Sequence, residues 1–235
     1  MTSEPSEPSK PSPTIADVLT AFLAEQERRL APRTYARYVD VVQLLRHYLD
    51  GYGANDLSAA ERTRLQPGGK DRDFCDVFGP DRILAGTDEF LGWFMIRKVM
   101  AGNDLMRAAG SVMKKLAQWL AAQEYVEIAE AVDAAARGAT AARELPRASK
   151  LADALRQLAD AREVDARDVI EDHFRIVRNE RGSIWVEPLT HPGTRGPIAL
   201  PAFIAAECRE GWTISGAIGR AGKRWMFVEV WNVYP

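Results

Sequence analysis

The chain has 235 residues, of which 46% are hydrophobic and 27% are charged, and its formal net charge is −2. This composition is ordinary for one large or two small globular domains, and no apolar run reaches the roughly 18 residues that a membrane span needs. A DNA-binding surface on such a nearly neutral chain depends on where the cations lie, because there is no excess of them.

The first 13 residues are rich in Ser, Pro and Glu, so we expect a disordered lead-in with almost no side chain to bury. They lack the apolar segment of a secretory signal. Cys75 and Cys208 do not have the paired spacing of a metal site. Together these features favour a reduced, cytoplasmic setting and predict no metal and no cofactor.

Residues 14–127 predict a helical domain. Thr14 is a typical N-cap residue, and apolar residues follow it at helical spacing to about residue 29. Pro32 begins a second helix, which we expect to run to about Leu49 and to be stopped by Gly51 and Gly53. A short helix over residues 57–65 and a polar loop come next, and then a buried helix over residues 87–100 that Thr87 caps.

The last helix of this region runs from Asn103 to about residue 123 and carries two stripes. The expected buried seam consists of Leu105, Ala109, Val112, Leu116 and Trp119. The second stripe consists of Arg107, Ser111, Lys114 and Gln118, with Lys115 at its border. No acidic residue occurs over 105–123, so this stripe is either an ordinary solvated face or a surface for DNA phosphates and base edges.

Residues 128–172 are alanine-rich and acidic and predict a helical connector, divided at Gly138 and Pro146, with a new helix at Ser149. From His173 the pattern becomes that of strands. We expect a hairpin over 174–189, a third strand over 196–201, a short helix over 201–211, and a final hairpin over 212–235. This order is that of a five-stranded OB-like β-barrel, although other small barrels have similar strand content.

Residues 14–49 and 88–126 resemble the opening and closing helix pairs of the N-terminal core-binding domain of tyrosine recombinases, the phage-integrase family. In that domain a Thr and a Tyr four residues later start the second helix, as Thr34 and Tyr38 do here. A Trp-Leu pair lies near the end of its last helix, as Trp119-Leu120 does here. The resemblance covers about half the chain and implies a SAM-like helical bundle that binds DNA.

The catalytic domain of that family uses an Arg, a His-x-x-Arg group and a tyrosine nucleophile, with cations around the scissile phosphate. No arginine lies three residues after His47, His173 or His191, and Tyr234 lacks a matching partner set. The chain after residue 127 is also too short for that domain and a linker. The sequence therefore predicts no strand cleavage and no enzyme.

A second candidate DNA surface is the start of the second helix, where Arg33, Thr34 and Arg37 could hold phosphates together with the free N–H groups of the helix end. The alternative is a solvated face on which Arg37 pairs with Asp40.

The segment 173–235 has eight cationic and five acidic residues, and its last hairpin provides a third candidate surface. There bases would stack on an exposed aromatic ring beside cations, and the residues concerned are Arg220, Lys223, Arg224 and Trp225. The alternative is that the aromatic strand packs in the barrel core on one side and against the helical domain on the other.

The sequence thus predicts a two-domain α+β protein, with a lead-in over 1–13, an all-α domain over 14–127, a connector over 128–172 and a small β-barrel over 173–235. The predicted function is non-catalytic DNA binding, with an accessory role in DNA integration or recombination beside a catalytic recombinase or another protein. The alternative is a protein–protein interaction module that binds no nucleic acid. Salt dependence separates the two, because DNA binding through several cations weakens steeply with salt.

Overall fold

The computed structural model describes residues 12–66, 70–99, 101–161 and 166–235. Helices come first along the chain and a five-stranded sheet follows, which confirms the α+β class. The chain divides into two compact units. The first unit consists of Met1–Thr87 and Lys115–Ala135, and the second unit consists of Asp88–Lys114 and Ala136–Pro235. The expected lead-in over 1–13 lies almost entirely outside the described residues.

The helices of the N-terminal region are α1 (Ile15–Glu27), α2 (Pro32–Tyr52), α3 (Ala59–Arg62) and α4 (Phe74–Val77), with 3-10 turns at Thr63–Leu65 and Pro80–Arg82. Thr14 caps α1 as expected, in a capping box with Asp17. Of the two glycines expected to stop α2, Gly53 is the C-cap, whereas Gly51 lies inside the helix. The helix runs on to Tyr52, and the N–H of its C-cap Gly53 still donates to Leu49 O at 2.8 Å.

The expected helix over 87–100 consists of α5 (Thr87–Glu89), a π-helical turn (Phe90–Phe94) and α6 (Met95–Arg97). Thr87 does not cap it. Thr87 is the first residue of α5 and is buried, and its hydroxyl donates to Leu84 O at 2.8 Å, so the side chain satisfies a carbonyl of the preceding turn.

Two long helices follow, α7 (Asn103–Ala122) and α8 (Ile128–Asp160). The expected division of the connector at Gly138 and Pro146, with a new helix at Ser149, is wrong, because all three residues lie within α8. A Cβ on Gly138 would lie 2.7 Å from Gly110 O and 2.7 Å from Lys114 N of α7. Gly138 therefore permits close packing of two helices and does not end one. At Pro146 burial of the proline and of neighbouring Leu145 outweighs the missing backbone hydrogen bond.

In the first unit, Phe22 of α1 lies at the centre of the core and is fully buried. Its ring contacts Trp119 of α7 edge-on, with centroids 5.5 Å apart, and Tyr38 of α2 at 6.0 Å. These contacts place the second half of α7 beside the end of α1 and the first turns of α2.

The sheet consists of β1 (Arg167–Glu180), β2 (Ser183–Pro188), β3 (Arg195–Ala199), β4 (Thr213–Ala221) and β5 (Arg224–Tyr234), with α9 (Ala202–Ala205) between β3 and β4. The five strands and the helix occur in the predicted order. The strand order is β1-β2-β3-β5-β4, and β4 pairs back to β1, so the pairing closes on itself.

β1 begins at Arg167, before the expected start at His173. The strand extends backwards because its first part pairs with β4, where Ile170 is opposite Ile218. One side of the sheet packs into a core together with the second half of α8, through Leu151 and Leu155. The segment expected to be a connector thus supplies core residues of the second unit.

Candidate nucleic-acid interfaces

The second stripe of α7 is largely exposed. Arg107, Ser111, Lys115 and Gln118 are open to solvent, while Lys114 is half-buried. Lys114 differs from the others because its backbone faces Gly138 of α8. The buried seam also differs from the expected one, since Leu105 and Trp119 are only half-buried. The large buried side chains of α7 are Met106, Val112, Met113, Leu116 and Leu120.

At the start of α2, Arg33 and Thr34 are exposed. Arg37 pairs with Asp40, with Nη1 3.3 Å from Oδ2, as in the alternative considered from the sequence. The N-cap residue Ala31 provides no side-chain hydrogen bond. The backbone N–H of Arg33 at this helix start faces no capping side chain, which keeps the site open to an anion.

In the last hairpin, Lys223 and Arg224 are exposed and Trp225 is half-buried against the core. The guanidinium carbon of Arg220 lies 5.7 Å from the centroid of the Trp225 ring, and that of Arg195 lies 5.8 Å from it. The Trp225 ring therefore packs on the core and also lies near the guanidinium groups of Arg195 and Arg220.

Arg220 has spare hydrogen-bonding capacity. Its Nη1 lies 3.7 Å from Asp168 Oδ2, but its Nε is buried and has no hydrogen-bond partner among the described residues. A buried N–H without a partner is costly, and an acceptor supplied by a ligand would satisfy it.

A second tryptophan, Trp185 of β2, also stacks with a cation, and the sequence pattern did not predict this pair. The guanidinium carbon of Arg178 lies only 3.6 Å from the ring centroid of Trp185, so the two groups stack. A Cβ on Gly196 of β3 would lie 2.8 Å from Cδ1 of Trp185, which shows that the indole lies across the β3 backbone. Gly196 directly follows Arg195, whose side chain approaches the other tryptophan.

We call the set Arg178, Trp185, Arg195, Arg220 and Trp225 the Trp–Arg face. A signal for Trp185 was present in the sequence, because it alternates with the buried Ile184 and Val186 and therefore points away from the core. The pairing with Arg178 depends on the register of the β1–β2 hairpin, in which Arg178 is opposite Trp185 beside a β-bulge.

The segment after β2 is held by the carboxylate of Asp172, whose side chain is 2% exposed. Asp172 accepts hydrogen bonds from the N–H and hydroxyl of Thr190, at 2.9 and 2.7 Å, and its Oδ2 is 2.9 Å from His191 Nδ1. Burial acts to raise the pKa of Asp172, but bonds from His191, Thr190 and the N–H of His173 outweigh it and hold the pKa far below its usual value. His191 is thus tied to a structural carboxylate.

Neither cysteine has the environment of a nucleophilic thiol. Both are buried free thiols, and burial raises the pKa of Cys75 and raises that of Cys208 to about 12. Within the four described ranges no group of three or more His, Cys, Asp or Glu side chains is arranged to hold a metal ion. Over the same residues, no helix has the length and apolar character that crossing a membrane demands.

Comparisons with protein-family models, with curated proteins and with solved structures gave no match to this chain.

Proposed function

We propose that the chain is a non-catalytic DNA-binding protein whose sheet holds an unpaired strand through the Trp–Arg face. The observation that carries the proposal is the stacking of Arg178 on Trp185 at 3.6 Å, together with a second tryptophan on the same sheet, Trp225, whose ring has Arg195 and Arg220 near it. Bases stack on aromatic rings and on guanidinium planes, while the same cations attract the phosphates.

The strand order, with a short helix between β3 and β4, is compatible with an OB type of barrel, in which the loops β1–β2 and β4–β5 flank the binding face. The β4–β5 turn here carries the exposed Lys223 and Arg224. These two cations extend the positive charge from the Trp–Arg face along a bound backbone.

The helical region supports duplex binding within the same proposal. Its resemblance to the core-binding domain of tyrosine recombinases favours a SAM-like bundle, and the exposed Arg33 and Arg107 lie on the two helix faces that would approach DNA. An accessory role in integration or recombination, beside a catalytic recombinase, follows from that resemblance.

Fluorescence anisotropy with labelled single-stranded and duplex 20-mers tests the proposal at about 50 and about 200 mM salt. Trp185→Ala should weaken single-strand binding by about 1–3 kcal/mol, the contribution of one base stacked on a ring. Arg33→Ala/Arg107→Ala should weaken duplex binding. The control is Arg147→Ala/Lys150→Ala, which removes two exposed cations from α8. Absence of binding to both DNAs at low salt refutes the proposal.

A specific apolar patch favours the second candidate, a protein–protein interaction module. Val169 and Val228 are 50% and 39% exposed, and their Cγ2 atoms would lie 3.3 and 3.0 Å from a Cβ on Gly219, so the three residues form one cluster on the outside of the sheet. Exposed contiguous apolar groups mark interaction surfaces. Binding to such a surface should change little with salt, in contrast to DNA binding.

A further inference from the structure

The first unit contains a cavity of about 500 Å³ between the end of α1, the first turns of α2 and the second half of α7. We call it the Gln26 cavity. A cavity of this size lies within the range that holds a small organic ligand, roughly 300–1,000 Å³. It is separate from the Trp–Arg face, which belongs to the second unit.

Glu25 is the one acidic residue among those that line the Gln26 cavity, and both of its oxygens are occupied. Oε2 accepts the indole N–H of Trp119 at 2.7 Å, and Oε1 accepts from Arg29 Nη1 at 2.9 Å. The bond from Trp119, with help from Arg29, lowers the pKa of Glu25, so the carboxylate stays ionised and neutralises Arg29. The negative charge of Glu25 is therefore already balanced within the cavity.

The other polar groups of the cavity can all donate hydrogen bonds. Gln26 is only 7% exposed, lines the cavity, and its side-chain amide makes no hydrogen bond with any described residue. Lys115, Gln118 and Gln123 also line the cavity, and within the described residues their side chains form no hydrogen bond or ion pair. The Gln26 amide atoms do not belong to the buried polar atoms that lack a partner, so they open onto the cavity, where a polar ligand or water can pair with them.

The balance of charge and hydrogen bonding defines the ligand. With Glu25 and Arg29 paired, Lys115 leaves the cavity with one positive charge, and several amide donors face the same space. A carboxylate offers two acceptor oxygens, whereas a phosphate offers three on one group and matches the donors better. Tyr38 and Trp119 add ring surface for a planar body.

We propose that the Gln26 cavity binds the phosphate of a nucleoside monophosphate, either as the free nucleotide or as the 5′-terminal nucleotide of a DNA strand. Lys115 and the amide of Gln26 hold the phosphate, and the aromatic and apolar lining holds the base. This site does not depend on the proposed function of the sheet.

The indole N–H signal of Trp119 in a ¹H–¹⁵N spectrum is the direct probe, and it is assigned with Trp119→Phe. The full-length protein is titrated with adenosine 5′-monophosphate, with adenosine and with inorganic phosphate. We expect the monophosphate to shift the Trp119 signal with a dissociation constant at least about tenfold lower than that of adenosine. Equal affinity for adenosine, or no shift with any of the three, overturns the proposal.

Two variants separate ligand binding from folding. Gln26→Met replaces an unpaired buried amide by an apolar side chain of similar length, so Tm should stay the same or rise while the monophosphate binds at least about tenfold more weakly. Lys115→Met should have the same effect on binding. The matched control is Lys150→Met, an exposed lysine of α8. Unchanged affinity in both Gln26→Met and Lys115→Met refutes the site.

A 5′-phosphorylated and a 5′-hydroxyl single-stranded 6-mer identify the source of the phosphate. If the phosphorylated 6-mer binds more tightly than the free nucleotide, the natural ligand of the cavity is the end of a strand. If the free nucleotide binds more tightly, the natural ligand is the nucleotide. In Trp185→Ala, we expect the monophosphate to shift the indole N–H signal of Trp119 as in wild type, while single-strand binding to the sheet becomes weaker. Failure of the cavity proposal and failure of the proposed function are therefore distinguishable.

Discussion

Trp119 and Glu25 lie 94 positions apart in the chain, and the indole Nε1 of Trp119 donates a 2.7 Å hydrogen bond to Glu25 Oε2. The bond explains why Trp119 is half-buried, although its apolar spacing predicts a fully buried seam position. A tryptophan N–H needs an acceptor, so the ring packs on Phe22 with its N–H directed to the carboxylate. The same bond is the largest cause of the lowered pKa of Glu25.

The first prediction concerns Glu25→Gln. A carboxyl group whose pKa is lower in the folded state than in the unfolded state stabilises the fold at pH values above its unfolded pKa, which is about 4.3 for Glu. This stabilisation disappears as the pH falls through the folded-state pKa. Glu25→Gln should therefore have a smaller free energy of unfolding than wild type at pH 7, and the difference should shrink under acid conditions. Urea unfolding between pH 7 and pH 3 measures it. A difference independent of pH contradicts the role of the charge, and Glu27→Gln is the exposed control.

The second prediction concerns Asp172→Asn. The substitution removes a buried charge that accepts bonds from Thr190, His191 and the N–H of His173, so we expect the free energy of unfolding at pH 7 to fall by about 3 kcal/mol. Because the pKa of Asp172 is lowered in the fold, this contribution is present above about pH 4 and disappears at lower pH.

His191→Ala is the comparison variant for Asp172. The His191 side chain is 51% exposed, and the other donors to Asp172 remain in place, so its effect should be clearly smaller. Equal destabilisation in the two variants, measured by urea unfolding, would show that the carboxylate acts only through His191.

The third prediction contrasts two glycines. A Cβ on Gly110 of α7 would collide with the backbone N of Ala142 in α8, which cannot move without shifting the helix, so Gly110→Ala should cost about 3 kcal/mol. Gly51 lies in α2 with nothing within 4 Å of the same position, and Gly51→Ala should stabilise by about 0.5–1 kcal/mol. Thermal unfolding monitored by circular dichroism measures both, and similar effects at the two sites would contradict the close helix packing.

Sequence patterns predicted the elements whose signals are local. Thr14 marked the start of α1, and turn residues with alternating apolar positions marked the five strands. The predicted helix boundaries were wrong where tertiary packing, and not local sequence, determines whether a helix continues. Gly138 and Pro146 have the local properties of helix ends, yet α8 continues through them because packing against α7 and burial in the core outweigh propensity.

The same distinction holds for the candidate surfaces. The exposure of Arg33 and Arg107 could be predicted from helical periodicity, since each lies opposite an apolar seam. The stacking of Arg178 on Trp185 could not, because it depends on hairpin register and on a bulge that shifts it. The Gln26 cavity likewise joins three helices that are distant in sequence, and no local pattern marks a buried amide without a partner.

The fourth prediction concerns the thiols. Because burial raises the pKa of Cys75 and Cys208, and both lie inside their cores, neither should react with Ellman's reagent in the native protein at pH 8. Both should react at once in guanidinium chloride. A thiol that reacts in the native state at the unfolded rate would show that its core opens readily, and Cys75→Ser or Cys208→Ser would identify which one.

The fifth prediction separates charge from stacking on the sheet. Lys223 and Arg224 are exposed cations, and removing one cation that binds a phosphate should reduce the slope of log K against log salt by about 1. Lys223→Ala/Arg224→Ala should therefore flatten the salt dependence of single-strand binding. Trp185→Ala removes ring surface but no charge, so it should lower affinity by a similar factor at every salt concentration.

Anisotropy titrations of the labelled 20-mer at several salt concentrations measure both quantities, with Arg147→Ala/Lys150→Ala as the control for general charge. If Trp185→Ala changes the slope and Lys223→Ala/Arg224→Ala does not, the assigned roles are wrong. If all variants bind like wild type, the strand does not lie on the Trp–Arg face. The apolar cluster at Gly219 then becomes the better candidate for a binding surface, because apolar packing is insensitive to salt in this range.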